Sequence, residues 1–150
     1  MRTLIKPLVL ILATLPGWAV ADTVRVKSGT EVGATMDALE AAVTGAGATV
    51  FARVDHAAGA ASVDMQLAPA ELLIFGNPML GTPAMQDAIE AGLHLPLKVL
   101  VYEDAEGQTW LAYDDPAAAL AALEGVAPDA PYLAKMQGAL AKLTSAAAAN

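Results

Sequence analysis

The sequence contains no cysteine, and that one absence excludes several kinds of chemistry. Disulfides, zinc–thiolate sites, cysteine nucleophiles and a lipid on a cleavage-site cysteine all need the missing thiol. Stability must therefore come from burial. Histidine is nearly as scarce, with only His56 and His94, so a zinc site would have to be rich in carboxylates. Basic residues are few: eight face sixteen acidic ones, for a formal net charge of −8. Scattered lysines and arginines in an acidic, aromatic-poor chain make no basic stripe of the kind a phosphate backbone requires, which argues against nucleic acid. An anionic membrane surface would repel such a chain. Also missing are a G-x-S-x-G elbow, an H-E-x-x-H pair and the glycine spacing of a nucleotide-binding loop.

Long apolar runs are absent too. The longest near the start, Leu8 to Leu15 (LVLILATL), falls well short of the roughly 20 residues that cross a bilayer. It has the setting of an export signal instead. Arg2 and Lys6 precede it, Pro16 and Gly17 break it, and Ala19-Val20-Ala21 supplies small residues before Asp22. Cleavage is expected between Ala21 and Asp22, and without a twin-arginine pair general secretion is the expected route. The mature chain, residues 22–150, would carry six basic and sixteen acidic residues, a net charge of −10. It is long enough for one domain with a core and short for two. No internal repeat or domain boundary is visible.

Periodicity gives the elements that are there. Thr23 to Lys27 alternates like a half-buried strand. Ser28 and Glu31 have the spacing of a capping box, and Val32, Met36, Leu39 and Val43 form one helical stripe ending near Gly45 or Gly47. Ala48 to Asp55 and Leu72 to Phe75 are strands, with a short helix expected over 57–65. Thr82-Pro83 predicts a helix start that runs to about Gly92. Leu97 to Glu103 and Gln108 to Tyr113 form a hairpin around Asp104-Ala105-Glu106-Gly107. Asp115-Pro116 opens another short helix. A last helix over 129–146 carries Leu133, Met136, Leu140 and Leu143 on one face and frays into Ala146 to Asn150. The expected fold is a two-layer α+β domain, its partly antiparallel sheet covered by helices on one face.

Several blocks in order resemble the bacterial family called domain of unknown function 302 across residues 35–115. They are Phe51-Ala52-Arg53-Val54-Asp55-His56, Glu71 through Asn77-Pro78, Gly81-Thr82-Pro83-Ala84-Met85-Gln86, Gly92 through Tyr102, and Tyr113-Asp114-Asp115-Pro116. The resemblance implies a small α+β fold, often dimeric, and no established activity. Met79 departs from it, standing where a basic side chain is expected, which counts against an anionic ligand at that turn.

Among single residues, Asp55-His56 ends a strand, and a carboxylate can orient or charge a neighbouring imidazole. That pair suits a general base or an axial ligand to haem or a metal. The plainer reading, a helix cap followed by a surface histidine, is the favoured one. Phe75-Gly76-Asn77-Pro78 joins a close-approach glycine, an amide and a fixed exit, which suits a pocket lining or a plain structural turn. Lys98 lies in an apolar strand; alternation turns it outward, and an inward lysine would need a carboxylate partner. Trp110 and Tyr113 fall on opposite faces of their strand, each available to a partner subunit.

These residues predict an exported binding or interaction module without catalytic activity. Its ligand or partner would sit at strand-end loops, with Asp55, His56, Phe75, Gly76, Asn77, Pro78, Lys98 and Tyr113 as the candidate contacts. The alternative is a periplasmic haem- or metal-binding protein with His56 as ligand; no other cofactor is indicated. The hairpin, few of whose charges lie outside its turn, offers an unpaired edge and the aromatics Tyr102, Trp110 and Tyr113, so a homodimer through it is expected.

Overall fold

The computed structural model describes residues 23–149, so the expected export signal and its cleavage site lie outside the described residues. The chain runs β1 (Thr23–Lys27), α1 (Val32–Gly45), β2 (Thr49–Asp55), α2 (His56–Ala61), β3 (Ala70–Gly76) and α3 (Pro78–Asp87). A 3-10 turn (Ile89–Leu93) leads to β4 (Leu97–Glu103), β5 (Thr109–Asp114), α4 (Pro116–Ala121) and α5 (Pro131–Ala148). The strands form one sheet in the order β1-β5-β4-β3-β2, and every neighbouring pair is antiparallel. This is the expected α+β architecture, with the sheet antiparallel throughout.

Alternation along the strands decides what is buried. Leu73 and Phe75 of β3, Val99 and Val101 of β4, and Leu111 and Tyr113 of β5 turn toward α1 and α5. There they meet Met36, Leu39 and Val43 from one helix and Leu140, Leu143 and Ala147 from the other. A second apolar cluster joins α3, α4 and α5 through Ala84, Leu120, Leu133 and Met136. Its margin is pinned by Tyr132, whose hydroxyl donates to Asp87 at 2.8 Å. Burial, and then the Asp87 carboxylate, push that phenol up to about 12.

The opposite face of the sheet has no helix of the main core against it. Its cross-strand pairs include Leu72 with Leu100, Ile74 with Lys98, and Tyr102 with Trp110. The apolar members are half-buried by one another and Lys98 is exposed, as alternation predicts. Edge strand β1 adds the exposed Arg25 and Lys27.

The hairpin turn forms as predicted, with Gly107 at a φ of 78°. Asp104 organises it, accepting from the backbone N–H of Gln108 at 2.8 Å, from Trp110 Nε1 at 2.7 Å and from Glu106 N–H at 3.0 Å. These donors, Gln108 first, hold its carboxyl below the ordinary carboxylate value.

Four expectations are corrected. The hairpin is not an edge: β1 pairs with β5 and β3 with β4, so both of its sides are occupied. Ser28 and Glu31 make no capping box. Ser28 is buried, still on the ladder through its N–H to Thr109 O, and its hydroxyl lies 2.7 Å from that of Thr35, while Glu31 is the N-cap without a side-chain bond. The helix expected at Thr82-Pro83 begins one turn earlier. Asn77 caps it by accepting from the Met79 N–H at 2.9 Å, Pro78 follows, and Pro83 lies inside. Asn-Pro and Thr-Pro carry the same start signal, and asparagine is the stronger cap. Finally, the end of α5 is packed, with Ala147 fully buried in the main core.

Candidate functional site

The candidate residues separate into four places. β2 and β3 are antiparallel, with Thr49 opposite Gly76 and Asp55 opposite Glu71. Asp55-His56 and Phe75 to Pro78 therefore occupy opposite ends of the pair, about 20 Å apart at strand rise. They do not build one cleft. Asp55 Oδ1 accepts from the Ala58 N–H at 2.8 Å, capping α2, and His56 is the exposed first residue of that helix. Tyr113 is 8% exposed and belongs to the core, where burial raises its phenol above the ordinary value; it is not free for a ligand or a partner.

Phe75, Gly76, Asn77 and Pro78 do line a cavity, of about 460 Å³. The sheet end supplies Phe51, Phe75 and Gly76, and α3 supplies Pro78, Leu80, Gly81, Thr82 and Met85. Leu95, Pro96 and Leu97 form one wall, and Met136, Ala139 and Leu143 of α5 form another. No lining side chain is charged. Phe51 and Met85 are 58% and 37% exposed, so the cavity opens to the surface between α3 and β2.

Local sequence explains the shape. The register shifts between Val50 and Ala52, and this irregularity brings Phe51 over the strand end. A Cβ on Gly76 would stand 3.2 Å from the Phe51 ring and 3.5 Å from Pro96 Cβ, so glycine lets the ring lie close. Composition and alternation did not single out Phe51, Met85 or Pro96. Of the three, only Met85 lies in the stretch from Met79 to Leu93 that carries exposed apolar side chains, and that exposure shows only once α3 is placed.

Lys98 sits elsewhere. It borders a second cavity of about 420 Å³ with His94, Asp114 and the apolar face of α4, and only Leu95 and Leu97 are shared with the first. Arg53, at the other sheet edge, binds Asp37 at 2.6 Å, Glu40 at 3.3 Å and Glu71, tying α1 to β2 and β3. Its guanidinium is held above the ordinary value, chiefly by the bond to Glu71. Among the described residues no group of three or more histidines and carboxylates is placed to hold a metal ion.

This α+β domain with a pocket at one sheet end belongs to the family described as domain of unknown function DUF302, whose model matches residues 23–146. The crystal structure of an uncharacterized conserved DUF302 protein from Bacillus stearothermophilus superposes with a TM-score of 0.72. That match covers 83% of this chain and 97% of that one at 18% identity, and it shows the fold. Two curated relatives are named fluoride-specific ion channel FluC 1, from Brucella suis and Brucella abortus. Each is 46% identical over 94 residues, which is 63% of this chain but only 37% and 35% of theirs. The chain thus spans little more than a third of the length of the curated relatives it matches.

Proposed function

We propose that this domain is an exported binding module that holds a small, largely apolar molecule in the cavity at the Phe75–Pro78 end of the sheet. The observation that carries the reading is the cavity. Its roughly 460 Å³ falls in the range of small-molecule sites, and an apolar lining with a few polar groups is their usual composition. Export rests on the charged, apolar and small-residue pattern of residues 1–21. A haem or metal held by His56 has less support, because that imidazole is exposed and stands at the far end of the β2–β3 pair from the cavity. Ion conduction is not proposed for this chain. Its likeness to the channels covers a minor part of them, and no helix among the described residues is long and apolar enough to cross a membrane.

The test is titration of the purified domain with N-phenylnaphthylamine, an uncharged dye that fluoresces in apolar surroundings. Saturable binding of one dye per chain is expected, and Ala139→Phe, which fills the cavity from α5, should abolish it. Absent binding, or binding that Ala139→Phe leaves unchanged, would refute the reading.

A second reading concerns assembly, and the uncovered sheet face favours it. Leu72, Ile74, Leu100, Tyr102 and Trp110 form an apolar surface on a chain whose net charge opposes self-association. We propose a two-fold dimer through this face, held by apolar contact and tightened by salt that screens the acidic charge. Sedimentation at two salt concentrations should show the dimer, and Leu100→Arg should leave a monomer. A wild-type monomer at tens of micromolar in both salts would remove it.

A further inference from the structure

The chemistry of the lining narrows the ligand. Resting on the binding reading above, we infer that the cavity selects an uncharged molecule carrying one hydrogen-bond acceptor, which Asn77 Nδ2 meets. Three observations lead there.

The first is the absence of charge. An ionised group moved out of water into this lining would find no opposite charge and few dipoles, and burying an unpaired ion is costly. The domain's acidic surplus also disfavours an anion approaching it.

The second is the state of Asn77. Its Oδ1 accepts from the Met79 N–H at 2.9 Å as the cap of α3. That bond engages the amide oxygen and leaves the NH₂ group uncommitted. Nδ2 has no partner among the described residues, and Asn77 lines the cavity. Thr82 is the other polar side chain there, and its hydroxyl both donates and accepts. The amide NH₂ can only donate, so the group that answers it is an acceptor such as a ketone, ester or ether oxygen.

The third is size. A cavity of about 460 Å³ stands toward the lower end of the range for small-molecule sites. That is the scale of a monoaryl or medium-chain molecule, too small for a tetrapyrrole.

The test is displacement of N-phenylnaphthylamine by three molecules sharing one skeleton: a phenyl alkyl ketone, the matching alkylbenzene and the matching phenylalkanoate, at pH 8. The ketone should compete about 5-fold more tightly than the alkylbenzene, the size of one neutral hydrogen bond. The alkanoate should compete at least about 10-fold more weakly than the ketone. Asn77→Asp keeps an oxygen for the Met79 N–H, so α3 stays capped while the donor is lost; the ketone's advantage over the alkylbenzene should vanish. An alkanoate as tight as the ketone would overturn the selection against charge. A ketone no tighter than the alkylbenzene, or an advantage that survives in Asn77→Asp, would overturn the role of Asn77. Those failures leave dye binding intact, whereas loss of dye binding itself would bring down the binding reading and this inference together.

Discussion

Replacing Phe75 by alanine probes the core and the cavity at once. The ring is 2% exposed, packs in the main core and also walls the cavity. Truncating a buried aromatic costs about 3–5 kcal/mol, part of it lost transfer energy and part the void left behind. Here the void would open into a cavity that already reaches the surface between Phe51 and Met85. Water and mobile side chains can enter it, so the cost should fall near the lower end, about 3 kcal/mol. Leu73 is the natural control: it lies on the same strand face, is fully buried and lines neither cavity. Leu73→Ala leaves a sealed void and should cost about 3–4 kcal/mol, matching the larger phenylalanine. Urea melts with unchanged slopes measure both. A loss below about 1 kcal/mol for Phe75→Ala would mean the ring is exposed. A loss above about 5 kcal/mol, with Leu73→Ala far below it, would mean that the cavity is closed to solvent.

Tyr132→Phe removes a part-buried hydrogen bond to the exposed Asp87 carboxylate and should cost about 0.5–1.5 kcal/mol at neutral pH. Because the folded phenol is raised to about 12, its contribution is complete below the ordinary value near 10 and is lost as pH climbs from there toward 12; alkaline melts of Tyr132→Phe should lack that decline. Asp104 has the opposite sign. Its folded carboxyl is depressed, so its contribution is present above the ordinary carboxylate value and disappears as pH falls through the folded one, and melts of wild type and Asp104→Asn should converge in acid. Arg53→Ala leaves Asp37, Glu40 and Glu71 facing one another and should cost about 1–2 kcal/mol at low salt, less at high salt. A salt-independent cost would mean that Arg53 acts through its alkyl packing.

Much of the fold was legible because the signals were local. The stripe of Val32, Met36, Leu39 and Val43, the alternation of Val99 and Val101 with Lys98, and the Asp115-Pro116 cap each depend on spacing alone. The failures came where two local signals of one kind competed. Asn77-Pro78 and Thr82-Pro83 both announce a helix, and nothing in spacing ranks them until α3 must place Ala84 against α5. The hairpin's edge could not be judged at all, since strand order is set by where β1 returns. The same limit governs the site. Phe75 to Pro78 stood out as a glycine-amide-proline turn and does line the cavity, but uniting it with Asp55-His56 required a register that the antiparallel β2–β3 pairing does not have. Tyr113 looked like a surface aromatic because inward and outward faces are indistinguishable before the helices are laid down.

The methionines allow the most direct test of ligand binding at this cavity. Met85 and Met136 line it, Met36 lies in the main core away from it, and Met65 is exposed on the connection after α2. Methyl NMR of methionine-labelled protein, titrated with the phenyl alkyl ketone, should move the Met85 and Met136 signals together and saturably while Met36 and Met65 stay in place. Signals that remain fixed throughout, or a shift led by Met65, would contradict the assignment of this cavity as the binding site.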